Sequence, residues 1–278
     1  MRRARTQGSQ ESSQVRSQFQ RSVEEGEERL ERTWPNLLAT GMVGGIDMGI
    51  GVFALLLVLH ETGNPLLGGL AFSIGFIALT LGQSELFTEN YLVPIMAVAA
   101  GRSGVSSIGR LWFGTALTNF VGGWIITWII LSSAPQLAPT AIETAKHYID
   151  LGIGWHSFAL AILGGTVITL MTWMERGSGE VLSDVVAAIV AGFLLAGGEL
   201  NHVIVVSLEI FAAFHAGAPF GYAEWLSTAA WAALGNTLGG IAFVTVLRLV
   251  QVGRRGVQDG RRRPAVESEQ REDISARR

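Results

Sequence analysis

The sequence predicts an all-α membrane protein: six transmembrane helices arranged as an inverted repeat of three and three, with the second and fifth helices discontinuous. Three observations predict it. The chain is 49% hydrophobic and 15% charged, with 35 glycines in 278 residues, too apolar and glycine-rich for an ordinary soluble domain. Its cations are segregated, because residues 1–32 carry seven arginines and 248–278 carry nine, whereas the 215 residues between hold four basic and twelve acidic groups. Two apolar runs are each too long for one crossing, and each is interrupted midway by a polar motif.

Residues 1–34 form a hydrophilic tail, and no cleavable signal peptide is expected. Within it Phe19, Val23, Leu30 and Trp34 recur at loosely helical spacing among Glu and Arg, which predicts an interfacial helix over 18–34. A bilayer core needs about 20 apolar helical residues, and residues 37–59, 111–131, 155–174 and 225–250 supply four such spans. The runs 66–100 and 181–214 each exceed one span by roughly half a membrane thickness. They are broken at SELFTEN (84–90) and at GGELNH (197–202).

The arginines decide whether each long run is one broken span or two short ones. If each crosses once, both tails, Arg102, Arg110 and Arg176 lie on one side with Lys146 alone opposite, the positive-inside pattern. If one run crossed twice, the later arginines and the C-terminal tail would change sides; if both did, Arg102, Arg110 and Arg176 would. The expected arrangement is a transmembrane domain over 35–251 in a bacterial cytoplasmic (inner) membrane, with both termini cytoplasmic. The outer loops are then 60–65, 132–154 and 215–224, the middle one carrying a short surface helix. Residues 252–278, rich in Arg, Glu, Gln and Gly, are expected to be disordered.

Two internal matches support the repeat. SELFT and GELNH share a Glu-Leu pair, which sets Thr88 opposite His202, and NFVGG (119–123) matches NTLGG (236–240) downstream. The separations are similar, 31 residues from Thr88 to Asn119 and 34 from His202 to Asn236. In inverted repeats the breaks of discontinuous helices lie near the midplane, at the permeation site.

The chemistry available is narrow. With no cysteine, disulfides, thiolate catalysis and cysteine-ligated metals are excluded. His60, His156 and His215 fall near the outer surface without a metal-ligand spacing, and there is no nucleophile–base pair or cofactor loop. Neither enzymatic activity, a metal, a cofactor nor a nucleic-acid partner is therefore expected; the lipid bilayer is. A helix broken at membrane depth leaves orphan backbone groups, tolerable only where protein or a water-filled cavity satisfies them. The second halves start near Asn90 and Asn201, so their N-termini turn partial positive charge toward the centre.

His202 is the strongest candidate, since an intramembrane ionisable group is functional by default, the alternative being a satisfied packing histidine. An imidazole there can attract an anion or help protonate it, lowering the several kcal/mol that a bare ion loses on desolvation. Asn119 and Asn236 are placed to hydrogen-bond the loops or waters beside Thr88 and His202, and the glycine pairs after them suit close helix packing. No Lys or Arg lies in the apolar spans to pair with Glu85, Glu89, Glu199, Glu209 or Asp47, so capping, water or protonation must offset their burial. Glu85, Glu89 and Glu199 flank the breaks and are read as caps on orphan N–H groups rather than as substrate contacts. Glu209, seven residues beyond His202 on the same helix face, lines the outer pore or a subunit interface.

At these residues the chain resembles the formate/nitrite transporter family of small-anion channels. The resemblance covers most of residues 35–250 and rests on FSIGFIALTLGQSELFT (72–88), TNFVGG (118–123), TWMERGSGEVLSD (172–184), the His202 segment and GNTLGG (235–240), in that order. It implies an aquaporin-like six-helix protomer, a homopentamer and one pore through each protomer. It further implies that Leu86, Phe87 and Thr88 form a loop narrowing the pore, with His202 as central histidine; Phe193 is the matching constriction candidate in the fifth span. The chain departs from the family pattern in reading GGELNH with Val206 four residues after the histidine, in having Ile153 where a lysine is usual, and in Glu89. The leading reading is a channel or transporter for small monovalent anions or their conjugate acids, such as formate, nitrite or hydrosulfide. The alternative is a neutral solute or a cation, motivated by the acidic surplus near the breaks; an intramembrane enzyme and a closed pentameric scaffold rank below it.

Overall fold

In the computed structural model residues 2–261 are described, with the backbone alone for 2–12 and 178. All regular structure among the described residues is helical. Helix α1 (Arg2–Glu31) precedes α2 (Trp34–Thr62), which begins with Pro35 in its first turn and ends at Gly63, whose positive φ of 62° returns its N–H to Leu59 O. Helix α3 (Pro65–Gly82) is capped by Asn64, whose side chain accepts from the amides of Leu66 and Leu67 at 3.0 and 3.2 Å. A 3₁₀ turn (Phe87–Tyr91) and the short α4 (Val93–Ala99) follow, then α5 (Val105–Ser133). Another 3₁₀ turn (Pro135–Leu137) leads into α6 (Ala138–Leu151), and α7 is Trp155–Ser178.

Helices α8 (Val181–Gly197) and α9 (Val203–His215) are separated by a non-helical stretch. The last helical stretch runs from α10 (Tyr222–Thr237) through a π-helical segment (Leu238–Val246) into α11 (Leu247–Gly260), which kinks at Gly253 (φ 72°). The wide π turn seats Tyr91: Thr245 Oγ1 donates to the Tyr91 carbonyl at 2.6 Å, and Thr237 Oγ1 meets its hydroxyl at 3.1 Å.

By length and composition, α2, α3, α5, α7 and the helical stretch over 222–260 can each cross a membrane, while α8 and α9 are shorter apolar helices. Their outward faces carry Leu66, Leu70, Phe113, Trp128 and Leu226 half or more exposed, which suits lipid or a neighbouring subunit rather than water. Helix α9 sits at the centre and is buried on every face from Val203 to Ala213, as an all-round apolar helix must be. Close approach of the helices around it depends on glycine. A Cβ at Gly45 would run into the Asn119 carbonyl, and one at Gly165 into the Asn236 carbonyl.

Two tail expectations change. The apolar stripe of α1 meets protein rather than an interface: Phe19 and Val23 are buried with Leu92, Val93 and Met96, and Leu30 with Leu37, Ala97 and Leu111. Residues 254–260 are helical instead of disordered, turned off the preceding helix at Gly253 (φ 72°), because Val252 and Gly260 find a surface on α1, Gly260 lying against the Phe19 ring. The rest of the expected disordered tail lies outside the described residues.

Candidate functional site

Two interruptions of helical backbone, 83–86 and 198–202, face each other across the buried centre. Each is held by one asparagine. Asn119 of α5 accepts from the Phe87 amide at 2.9 Å and donates to the carbonyls of Glu85 (2.9 Å) and Gly41 (2.7 Å). Asn236 of α10 accepts from the Val203 amide at 2.9 Å and donates to the carbonyls of Asn201 (2.9 Å) and Ala161 (2.7 Å). Both side chains are fully buried, and each gives one amide hydrogen to a carbonyl of the break and the other to a carbonyl inside a neighbouring helix, Gly41 of α2 or Ala161 of α7.

This bracketing sets the correspondence between the two loops. Leu86 and His202 hold the same place, between a bonded carbonyl and a bonded amide, whereas the letter match of SELFT with GELNH pairs Thr88 with His202. The shift of two residues has a backbone cause: Gln83 (φ 54°) and Glu199 (φ 50°) are the two left-handed non-glycine residues among the described residues, and each closes the helix before it. Glu199 is thus the counterpart of Gln83, not of Glu85.

Thr88 and His202 nonetheless meet. Thr88 Oγ1 lies 2.8 Å from His202 Nε2, both residues fully buried. The Val205 amide points at His202 Nδ1 at 3.4 Å, so Nδ1 accepts as the cap of α9 and the neutral ring carries its proton on Nε2, donating to Thr88. The Thr88 hydroxyl hydrogen then has no other partner among the described residues and is free to bond a third species. Leu86 is fully buried, and Phe87 packs edge-to-face on Tyr91 and Trp112 with centroids 5.3 and 5.9 Å away. Phe193 is half-buried on α8 beside Gly197 and is not brought into the apolar cluster that holds Leu86, Phe87 and Val203. Phe72 and Phe76, rings 5.7 Å apart, are buried in that cluster; their four-residue spacing is the sequence signal that would have pointed to them.

The carboxylates divide. Glu85 and Glu89 are buried but not without cations, which come from α1 and the short link after it rather than from the spans. Glu85 pairs with Arg32 and lies 3.6 Å from Arg29, while its other oxygen accepts from Asn90 at 2.6 Å. Glu89 accepts from the Leu86 amide at 2.9 Å, closing the loop as a cap, with Arg29 3.9 Å away. Arg29, 4% exposed, also donates to Asn90 Oδ1 at 3.2 Å and grips Glu25, which pairs with Arg176. Burial opposes the charge on Glu25, but Arg29 and Arg176 outweigh it and hold the carboxyl below its usual range. Burial likewise opposes the charge on Arg29, yet Glu85, Glu25 and Glu89 raise its pKa further.

On the opposite face the picture differs. Glu199 caps nothing with its side chain: it is 54% exposed, with His147 of α6 3.7 Å away. Glu209 is 1% exposed and its Oε2 has no hydrogen-bond partner among the described residues. Asp47 accepts from Ser84 at 2.5 Å. His60 and His156 are exposed, and His215 packs on Trp124. No group of three or more metal-ligating side chains occurs among the described residues.

Comparison with known proteins places this geometry. The family model described as formate/nitrite transporter matches residues 16–250. The inner membrane protein YfdC of Escherichia coli K12 is 30% identical over 201 residues, 67% of this chain and 62% of YfdC, so the match spans less than two thirds of that relative. The formate channel BtFdhC of Bacillus thuringiensis is 26% identical, covering 80% of this chain and 89% of the relative. Among solved structures, a pentameric formate channel with formate bound superposes with a TM-score of 0.67 at 22% identity, covering 77% of this chain and 95% of that one. An FNT family ion channel gives 0.73 at 16% identity, with 82% and 96% covered.

Proposed function

The chain belongs to the formate/nitrite transporter family, and on that premise we propose that it is a membrane channel or transporter for small monovalent anions or their conjugate weak acids. The observation that carries this reading is the fully buried Thr88–His202 pair at the meeting of the two backbone breaks. A species arriving there meets the free Thr88 hydroxyl hydrogen, an imidazole that can take up a proton, and the N-terminus of α9, whose partial positive charge favours an anion. Handing a proton between His202 and the permeant lets a weak acid pass the apolar neighbours Leu86 and Phe87 without the several kcal/mol cost of a desolvated ion. In this reading Leu86 and Phe87 form the constriction, with Phe193 as the further candidate on α8.

The same reading takes α3 with α4, and α8 with α9, as discontinuous spans of a six-span inverted repeat. The matched brackets of Asn119 and Asn236 and the matched left-handed residues Gln83 and Glu199 support it. A homopentamer, both tails on the cytoplasmic side and residence in a bacterial inner membrane complete it, supported by the arginine distribution and by the descriptions of YfdC and of the pentameric formate channel.

The test is stopped-flow uptake of formate and nitrite into proteoliposomes. His202→Ala is expected to abolish the flux over empty vesicles, and Thr88→Val to reduce it by about tenfold, the loss of one hydrogen bond in the rate-limiting arrangement. Wild-type flux indifferent to anion identity and to both changes would sink the proposal. A neutral-solute or cation path is the second reading, favoured by the acidic groups Glu199 and Glu209 on the face opposite the tails.

A further inference from the structure

The tail-side end of the last helical stretch carries an arginine that the channel reading leaves unused. Arg248 stands half-buried in the first turn of α11, ahead of the kink at Gly253. Its guanidinium lies over the Trp173 ring of α7, 5.1 Å from the centroid, and Nη1 donates to Gln251 Oε1 at 2.8 Å. No carboxylate pairs with it among the described residues. A guanidinium has several N–H donors, so most of them are left for a ligand.

Arg248 closes one end of a groove of about 320 Å³ between α7 and the π-helical segment. Leu170, Phe243, Val244 and Leu247 make its walls, and Arg248 with Gln251 makes its head. Phe243 and Leu247 are more than half exposed, as is Val250 beyond them, so the groove opens on the outward apolar face rather than into the protein. Past the kink the described chain adds exposed Arg254, Arg255 and Arg261 against one acid, Asp259.

An occupant must therefore be apolar along most of its length and anionic at the tail-side end. A water-borne anion satisfies Arg248 but leaves the apolar walls bare. A hydrocarbon fills the walls but leaves the guanidinium without a partner where water is scarce. A lipid with an ammonium in its headgroup sets that cation against the arginines. A glycerophospholipid whose phosphodiester is its only headgroup charge meets each condition. Its acyl chain lies along Phe243 and Leu247, and its phosphate oxygens match the planar fork of Arg248. The arginines past the kink add the attraction of an anionic membrane surface.

We propose that this groove binds one anionic phospholipid per protomer, with Arg248 holding the phosphate. The site is independent of which solute the pore conducts.

The experiment is native mass spectrometry of the full chain in a neutral detergent, titrated with phosphatidylglycerol, with phosphatidylcholine of the same acyl chains, and with glycerophosphate. Wild type is expected to hold one phosphatidylglycerol per protomer about tenfold more tightly than phosphatidylcholine, the worth of a charge-assisted phosphate contact, and to ignore glycerophosphate. Arg248→Gln is expected to erase that preference. Leu170→Trp, which fills the groove and leaves the arginine in place, is expected to weaken both lipids. A lipid-free oligomer mass and melting temperature equal to wild type show that each variant is folded. Arg254→Gln with Arg255→Gln is expected to lower the preference by less than Arg248→Gln does. Equal affinity for the two lipids, a preference that survives Arg248→Gln, or a larger loss in the double variant would each overturn the proposal. So would displacement of phosphatidylglycerol by glycerophosphate, which would make this a site for a free anion. Dissociation of the oligomer by Arg248→Gln with no change in lipid binding would overturn it as well, assigning the groove to a neighbouring subunit.

Discussion

The two breaks use one backbone device in opposite electrostatic settings. Around 83–86 the buried glutamates meet cations: Arg29 of α1 and Arg32 just after it reach Glu85, whose other oxygen accepts from Asn90, and Arg29 approaches the Glu89 oxygen that also accepts from the Leu86 amide. Around 198–202 no Lys or Arg among the described residues pairs with a carboxylate, and Glu199 and Glu209 face a cavity instead. The asparagine brackets are what the fold requires of both loops. The charge around each is what distinguishes the two breaks.

The comparison breaks most severely through the asparagines. Asn119→Leu and Asn236→Leu each orphan two buried backbone groups of a break, one carbonyl and one amide, at about 1–3 kcal/mol apiece. Both variants are expected to lose folded protein in detergent to the same degree, measured by size-exclusion profile and thermal unfolding. A large inequality between them would show that the two brackets are not equivalent supports.

Arg29→Ala is the next largest and is one-sided. It strips a buried counter-charge from Glu85, Glu89 and Glu25, a loss of about 3–5 kcal/mol. The expected outcome is a lowered melting temperature and protease-accessible α1. Adding Glu89→Gln, which keeps an acceptor for the Leu86 amide while removing one charge, is expected to restore part of that loss; no restoration would mean that Arg29 acts by packing rather than by charge.

The smallest effect concerns pH. Glu25 is held below its ordinary 4.5 in the folded chain, so the unfolded chain takes the proton more readily. Its stabilisation is complete above that ordinary value and disappears as pH falls through the lowered one. A contribution of about 1 kcal/mol is expected for this partly exposed pair, seen as loosening of α1 in acid through the fluorescence of Trp34 beside it. Glu25→Gln is expected to remove the acid step, and persistence of the step in that variant would assign it elsewhere.

Much of this organisation was readable from letters alone. Run lengths and interruptions are local properties, so the helices and the positions of both breaks follow from hydrophobic spacing. The asparagines were readable too, because a buried amide beside a broken helix has few other uses. The correspondence of the loops was not: Glu-Leu recurs in both, but the conformation of Gln83 and Glu199 sets the register, and a positive φ at a non-glycine residue leaves no trace in composition. Arg29 and Arg32 were missed as partners for the same kind of reason. They stand 61 and 53 residues before the groups they meet, in a segment whose composition marks it only as a tail.

That long separation gives α1 a meaning in time. Arg29 and Arg32 are synthesised before the loop whose carboxylates they neutralise, with two apolar helices, α2 and α3, between them. The counter-ions of Glu85 and Glu89 already exist when those acids must leave water, so the chain carries its own neutralising agent ahead of the segment most costly to insert.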